Sequence, residues 1–176
     1  MMGAVALTLC AVAALAVLSA QRAPRVRVSP HETHTFTVEG ADITITYGRP
    51  TMRGRKIFGG LVRYDIVWMP GADEATIVKT SAPLQFGDFK LPKGAYSLYT
   101  LPSEKGWTLI VNAMTGQFHT YYPADRDLAK IPMTLERPAS PVEQLTISAV
   151  PRPRGGGVLQ LEWELTRVSA PFVALR

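Results

Sequence analysis

An all-β domain, an antiparallel β-sandwich or partly closed barrel preceded by one N-terminal transmembrane or signal helix, is the fold this sequence predicts. Three observations carry the prediction. Apolar and hydroxyl residues alternate strictly in Ile43-Thr44-Ile45-Thr46-Tyr47, the period of a strand with one buried face. Turn signals recur about every 8–12 residues, the spacing of sandwiches and barrels, and the 14 glycines and 14 prolines supply them. No segment after residue 23 repeats apolar residues at i, i+3, i+4 and i+7, as an amphipathic helix requires.

From Gly3 to Ala20 the chain has no charge and no proline. As a helix at 1.5 Å per residue this run is about 27 Å long, close to the ~30 Å of a bilayer's hydrocarbon core. Residues 1–21 are therefore predicted to be a transmembrane anchor or signal helix. A cleavable signal has a basic start, an apolar stretch of about 7–15 residues and a small-x-small cleavage site. Here the chain begins Met-Met-Gly, the run is longer, and the best site, Leu18-Ser19-Ala20, places a bulky residue three before the cut. These departures favour a retained helix over cleavage. Arg22, Arg25 and Arg27 follow in a linker over residues 22–30. The positive-inside tendency would hold them in the cytoplasm; in a mature N-terminal tail, anionic headgroups would attract them by ~1 kcal/mol each. The only cysteine, Cys10, lies inside the run, so the remainder forms no disulfide.

Residues 31–176 are enough for one domain. Thr35–Val38 and Ile43–Tyr47 are predicted strands joined by Glu39-Gly40-Ala41-Asp42, which has hairpin chemistry, and Gly48-Arg49-Pro50 ends the second. A glycine-rich basic loop, Met52 to Gly60, leads to a short strand at Leu61-Val62. Ala75–Lys79, Ser97–Leu101 and Trp107–Asn112 are further strands, with turns at Leu91–Gly94 and Pro102–Gly106. Tyr121 to Ala129 makes a turn or two of helix at most. Leu145–Val150 and Val158–Arg167 form the last pair across the loop Pro151–Gly157, giving eight or nine strands in all.

The charges, 19 Lys and Arg against 14 Asp and Glu, are scattered apart from Arg53-Gly54-Arg55-Lys56 and Arg152-Pro153-Arg154. Neither cluster has a helical frame or interleaved aromatics, so nucleic-acid binding is excluded as an expectation. The densest polar group is Tyr47, Arg49, Arg55, Lys56, Asp73 and Glu74. Two arginines at such a site can clamp a carboxylate or phosphate bidentately, with Asp73 or Glu74 as base. The competing explanation is a loop-to-loop salt bridge, or an Asp73-Glu74 pair that points to opposite faces of a strand. His31 and His34 are i, i+3 in an extended stretch and face opposite sides, so with His119 they make no zinc site. No Gly-x-Ser-x-Gly elbow is present. Gly155-Gly156-Gly157 precedes a strand rather than a helix and is no phosphate cradle. Trp68, Trp107 and Trp163, with Tyr96 and Tyr99, are either a carbohydrate platform or core.

Four ordered blocks, "ITITYGRPTMRGRKIFGGLV", "VWMPGADEAT", "LPKGAYSLYTLP" and "LQLEWE", resemble the DUF2911 family of bacterial proteins from about Ser29 to the C-terminus. The resemblance implies a single β-sandwich-like domain, commonly behind an export signal, and implies no reaction. The family tends to have arginine where Met69 stands, asparagine where Asp73 stands, and a tryptophan-glycine pair where Phe118-His119 stand. Such a site would here lack a cation and carry a carboxylate instead.

The functional expectation is a membrane-anchored, non-enzymatic interaction module at the bacterial inner membrane with its soluble domain facing the periplasm. It would be an accessory or scaffolding subunit of a larger complex, such as an energy-transducing one. Its partners would be other membrane-complex subunits and the anionic membrane surface, reached through open edge strands and the apolar tail Ser169–Arg176. No cofactor and no metal are expected. Tyr47, Arg49, Arg55, Asp73, Glu74 and His119 are the candidate binding residues. The alternative is a secreted or periplasmic enzyme or small-ligand or carbohydrate binder, with its site around Arg49, Arg55, Asp73 and Glu74. A concave site holding those side chains favours the alternative; an exposed apolar patch favours the module.

Overall fold

A computed structural model describes Arg27 and residues 29–175. The apolar run, and with it the expected anchor or signal helix, lies outside the described residues. Among the described residues, no helix is long and apolar enough to cross a membrane.

The first hairpin forms where the sequence places it. Strand β1 (His31–Val38) pairs with β2 (Ala41–Gly48), and Val38 faces Ala41 across a two-residue turn. Glu39 and Gly40 have φ of 50° and 82°, the successive left-handed residues of a hairpin turn whose twist matches its strands. Beyond it run β3 (Ile77–Thr80), β4 (Leu84–Phe86), β5 (Phe89–Leu91), β6 (Gly94–Leu101) and β7 (Trp107–Asn112). A single 3-10 turn at Ala124–Arg126 is the only helical element among the described residues. It leads to β8 (Asp127–Glu136), β9 (Val142–Pro151), β10 (Gly157–Glu164) and β11 (Thr166–Ala174).

All ladders are antiparallel, in the order β1-β2-β3-β6-β7-β8-β11-β10-β9, with the β4–β5 hairpin attached to β11. The two ends of this path lie alongside one another, so the sheet is nearly closed into a barrel. The chain leaving β2 seals the seam: Leu145 N–H donates to Pro50 O at 3.0 Å and Met52 N–H to Glu143 O at 2.8 Å. These bonds cover the start of β9 only; along the rest of their length β1 pairs with β2 and β9 with β10. The tail from Ser169 is the body of β11, paired with β10, β8 and β4.

The core is the inside of the barrel, reached by alternate residues. Ile43, Ile45 and Tyr47 of β2, Leu159, Leu161 and Trp163 of β10, and Val168, Ala170 and Phe172 of β11 are all buried there, as a period of two demands. A smaller cluster of Met69, Ala75, Tyr99 and Ile110 packs on the outer face of β6 and β7.

The structure differs from expectation in the number and limits of strands. Val158–Arg167 is two strands, because Glu164 (φ 55°) reverses the chain and Trp163 pairs with Thr166. Leu61-Val62 is no strand but part of a compact loop with one bridge, Phe58 to Val62. Strand β8 is missing from the expectation because it buries only Ile131 and Met133 and contains Pro132, which breaks a strand pattern.

Candidate functional site

The barrel has two distinct ends. At one, the Glu39-Gly40 turn meets the β9–β10 loop, where Gly156 N–H donates to Glu39 Oε1 at 2.7 Å. At the other, the start of β1, the end of β2, the start of β9 and the end of β10 come together beneath the Met52–Gly60 loop and the Gly71–Glu74 turn. A cleft of about 350 Å³ opens at this second end, within the size range of small-ligand sites.

Its floor is aromatic. The Trp68 and Trp163 rings lie 6.1 Å apart at an interplanar angle of 17°, and Phe58 packs edge-on to both. Trp163 is buried and its indole N–H donates to Glu143 O; Trp68 is half-buried. Trp107, Tyr96 and Tyr99 are buried away from the cleft lining, so of the five aromatics only two reach it.

One wall is the basic loop. Arg53 and Arg55 line the cleft with Leu61. Arg55 donates from Nε to Met52 O at 2.9 Å and from Nη2 to Thr51 O at 2.7 Å. The loop thereby fixes the stem of the side chain and leaves most of the guanidinium's five donors unspent. Ser29, Pro30, Gly71 and His119 complete the wall. His119 Nδ1 lies 2.8 Å from Asp73 O. A carbonyl only accepts, so Nδ1 carries the proton and, in the neutral ring, Nε2 keeps its lone pair.

Behind that wall sits an ionic cluster. Glu74 accepts from Arg27 at 3.0 Å, and this bond outweighs the opposing effect of burial and holds its carboxyl below the usual range. His31 Nε2 approaches Glu74 Oε2 at 2.8 Å and its Nδ1 approaches Asp73 Oδ2 at 3.9 Å, neither as a hydrogen bond. Asp73 and Glu74 therefore converge on one partner rather than pointing to opposite faces. The physical reason is the left-handed backbone of Asp73 (φ 64°), which breaks the alternation an extended pair would have. Gly48 permits this packing: a Cβ there would collide with the Ala72 carbonyl and crowd His31. Among the described residues no group of three or more His, Cys, Asp and Glu side chains is arranged to hold a metal ion.

The two arginines of the expected clamp are separated by role. Arg49 turns away from Asp73 and Glu74 and bonds Glu32 Oε2 at 2.7 Å, Leu145 O at 3.0 Å and Thr146 Oγ1 at 2.9 Å. It rivets β1 to β9 across the seam. Glu32 is drawn below the ordinary carboxylate range by His34 and then by Arg49. Tyr47 is interior, and its hydroxyl accepts from Ile147 N–H at 2.9 Å; burial raises its pKa. Of the six candidates, Arg55 and His119 line the cleft, Asp73 and Glu74 support its wall, and Tyr47 and Arg49 close the barrel. Sequence reasoning passed over Arg53 as a site residue and left Trp68 and Trp163 undecided between platform and core. The "RGR" signal was present for Arg53; nothing local distinguishes the two cleft tryptophans from Trp107.

A family model described as "Protein of unknown function (DUF2911)" matches residues 29–172. The chain belongs to the DUF2911 family. No curated protein and no solved structure matches it. The match begins at Ser29, on the cleft wall, and ends at Phe172 in β11, so it takes in the cleft and all of the barrel but the last residues of β11. Two positions at which the resemblance implied another residue now have a physical setting. Met69 is buried in the outer cluster and not in the cleft, so a cation at that position would not be a cleft cation. Asp73 occupies a left-handed position, where Asn and Asp are the side chains best tolerated.

Proposed function

We propose that this DUF2911 domain is a binding module whose cleft takes a small anion carrying a flat or apolar face. The observation that supports this reading is the pairing of Arg53 and Arg55 with the half-buried Trp68, stacked on the buried Trp163, in one concavity. Guanidinium forks match carboxylate and phosphate geometry, and indole faces offer area to a planar or apolar body. His119 adds an acceptor, or a donor when protonated, to the same lining. The cleft lining holds no cysteine, and its one serine, Ser29, has no histidine bonded to its hydroxyl among the contacts described. Binding is thus the activity its chemistry supports, delivered or tethered at a membrane by the apolar run that precedes it.

The test uses tryptophan fluorescence of the purified full chain with phenyl phosphate, phenol and inorganic phosphate as probes. Phenyl phosphate, which carries both features, should quench saturably and bind at least about tenfold more tightly than either half alone, a difference of ~1.4 kcal/mol. Arg55→Ala should weaken it by about tenfold or more, and Trp68→Ala should remove most of the quench. Absence of saturable quenching by phenyl phosphate up to about 10 mM, a binding energy under ~3 kcal/mol, would overturn the proposal.

A further inference from the structure

We infer that the cleft end of the barrel is also a bilayer-facing surface, with the Met52–Ile66 segment resting on anionic lipid headgroups. This goes beyond ligand binding and does not depend on it. The segment carries Arg53, Arg55, Lys56 and Arg63 against a single acid, Asp65, and all five side chains are exposed. Among them stand Leu61, 54% exposed, and Ile66, 49% exposed, the two most exposed large aliphatic side chains among the described residues. Cations interleaved with exposed aliphatics are the pattern of interfacial segments, which gain from charge attraction and from shallow apolar burial together.

The exposure of Leu61 is built into the loop. Ile57 and Phe58, buried at 0% and 3%, anchor it in the core, and Glu164 receives both of their N–H groups. Leu61 N–H donates to Lys56 O at 3.1 Å, Val62 N–H to Ile57 O at 2.9 Å, and Gly59 N–H to Val62 O at 2.9 Å. A tip held by so many bonds presents its leucine as a fixed feature.

The position of the N-terminal segment decides which end faces the lipid. The chain joins the domain through Ser29 and Pro30, which line the same cleft as Arg53, Arg55 and Leu61. Residues 21–28 separate that point from the apolar run, and at 3.3–3.6 Å per residue they reach at most about 29 Å. The opposite end carries Arg152 and Arg154, so charge alone does not distinguish the ends; the attachment point does.

The experiment places an environment-sensitive NBD label at either end of the full chain. In a Cys10→Ser background, Leu61→Cys or Arg154→Cys is labelled and the protein is reconstituted in vesicles of phosphatidylcholine alone or with phosphatidylglycerol at 3:1. Vesicle-bound protein is isolated by flotation, so that both compositions report on tethered molecules. The label at 61 should blue-shift and be quenched by doxyl lipid at least about twofold more on the anionic vesicles, reverting at about 0.5 M salt, where the Debye length is only a few ångström. The charge-reversed Arg53→Glu/Lys56→Glu/Arg63→Glu variant should lose the difference, and the label at 154 should stay aqueous throughout. The inference is overturned if residue 61 is no more lipid-quenched than residue 154, or if residue 154 is the one that responds. It is equally overturned if quenching at 61 survives both salt and charge reversal.

Discussion

Replacing Arg49 with alanine should cost stability and spare the cleft, the reverse of what a ligand clamp would do. The side chain makes three contacts across the β1–β9 seam: to Glu32, to the Leu145 carbonyl and to Thr146 Oγ1. The Glu32 pair is partly exposed, at 18% and 33% for the two side chains, so solvent screening limits it to at most ~1 kcal/mol. Leu145 is fully buried, and its carbonyl would lose a charge-assisted donor, a loss of ~1–2 kcal/mol. Thr146 keeps its own donation to Gln144 O at 3.0 Å and contributes little. The total, about 1–3 kcal/mol, corresponds to a fall in Tm of about 2–12 °C for a domain of this size. Near-UV circular dichroism of the full chain gives the melting curve, and the phenyl phosphate titration run beside it gives the affinity, which should stay within about threefold, or ~0.7 kcal/mol. Arg55→Ala should show the opposite split, since its two bonds go to carbonyls of its own exposed loop. A melting curve for Arg49→Ala within about 1 °C of the parent would refute the rivet, and so would loss of binding at unchanged Tm.

Gly48→Ala should lower Tm by about 3–10 °C, because its Cβ meets backbone, the Ala72 carbonyl, which must shift at a cost of ~1–3 kcal/mol; an unchanged Tm would mean the Gly71–Glu74 turn is free to move away. Alkaline titration tests the interior: burial, as the largest cause, raises the pKa of Tyr47, Tyr99 and Tyr122. A folded pKa above the unfolded value of about 10 gives stability that is complete below that pH and lost as pH rises through the folded values. Absorbance at 295 nm, about the tyrosinate maximum, should therefore show these three of the six tyrosines ionising only as far-UV dichroism is lost; ionisation of all six near pH 10 in the folded chain would contradict their burial.

What the sequence determined by itself was whatever rests on short-range physics. Alternation over Ile43–Tyr47 set the faces of β2, and Glu39-Gly40 set the first hairpin, because side-chain period and left-handed backbone are local properties. The same is true of β6 and β7 and of the class of the fold. Strand β8 escaped because Pro132 and a mostly exposed face erase the local pattern, and the split between β10 and β11 escaped because it turns on one left-handed residue, Glu164, with no glycine to mark it. The site was legible as a set of residue types and not as a set of contacts. Arg49 and Arg55 stand six positions apart and look alike in the chain. Closure of the barrel brings Leu145 and Thr146 to the first, while the second stays on an open loop. Trp68 and Trp163 meet only because the end of β10 and the loop after Val62 arrive at the same end of the barrel. Such pairings depend on where distant strands meet, and only the tertiary structure decides which cation holds the sheet together and which faces a ligand.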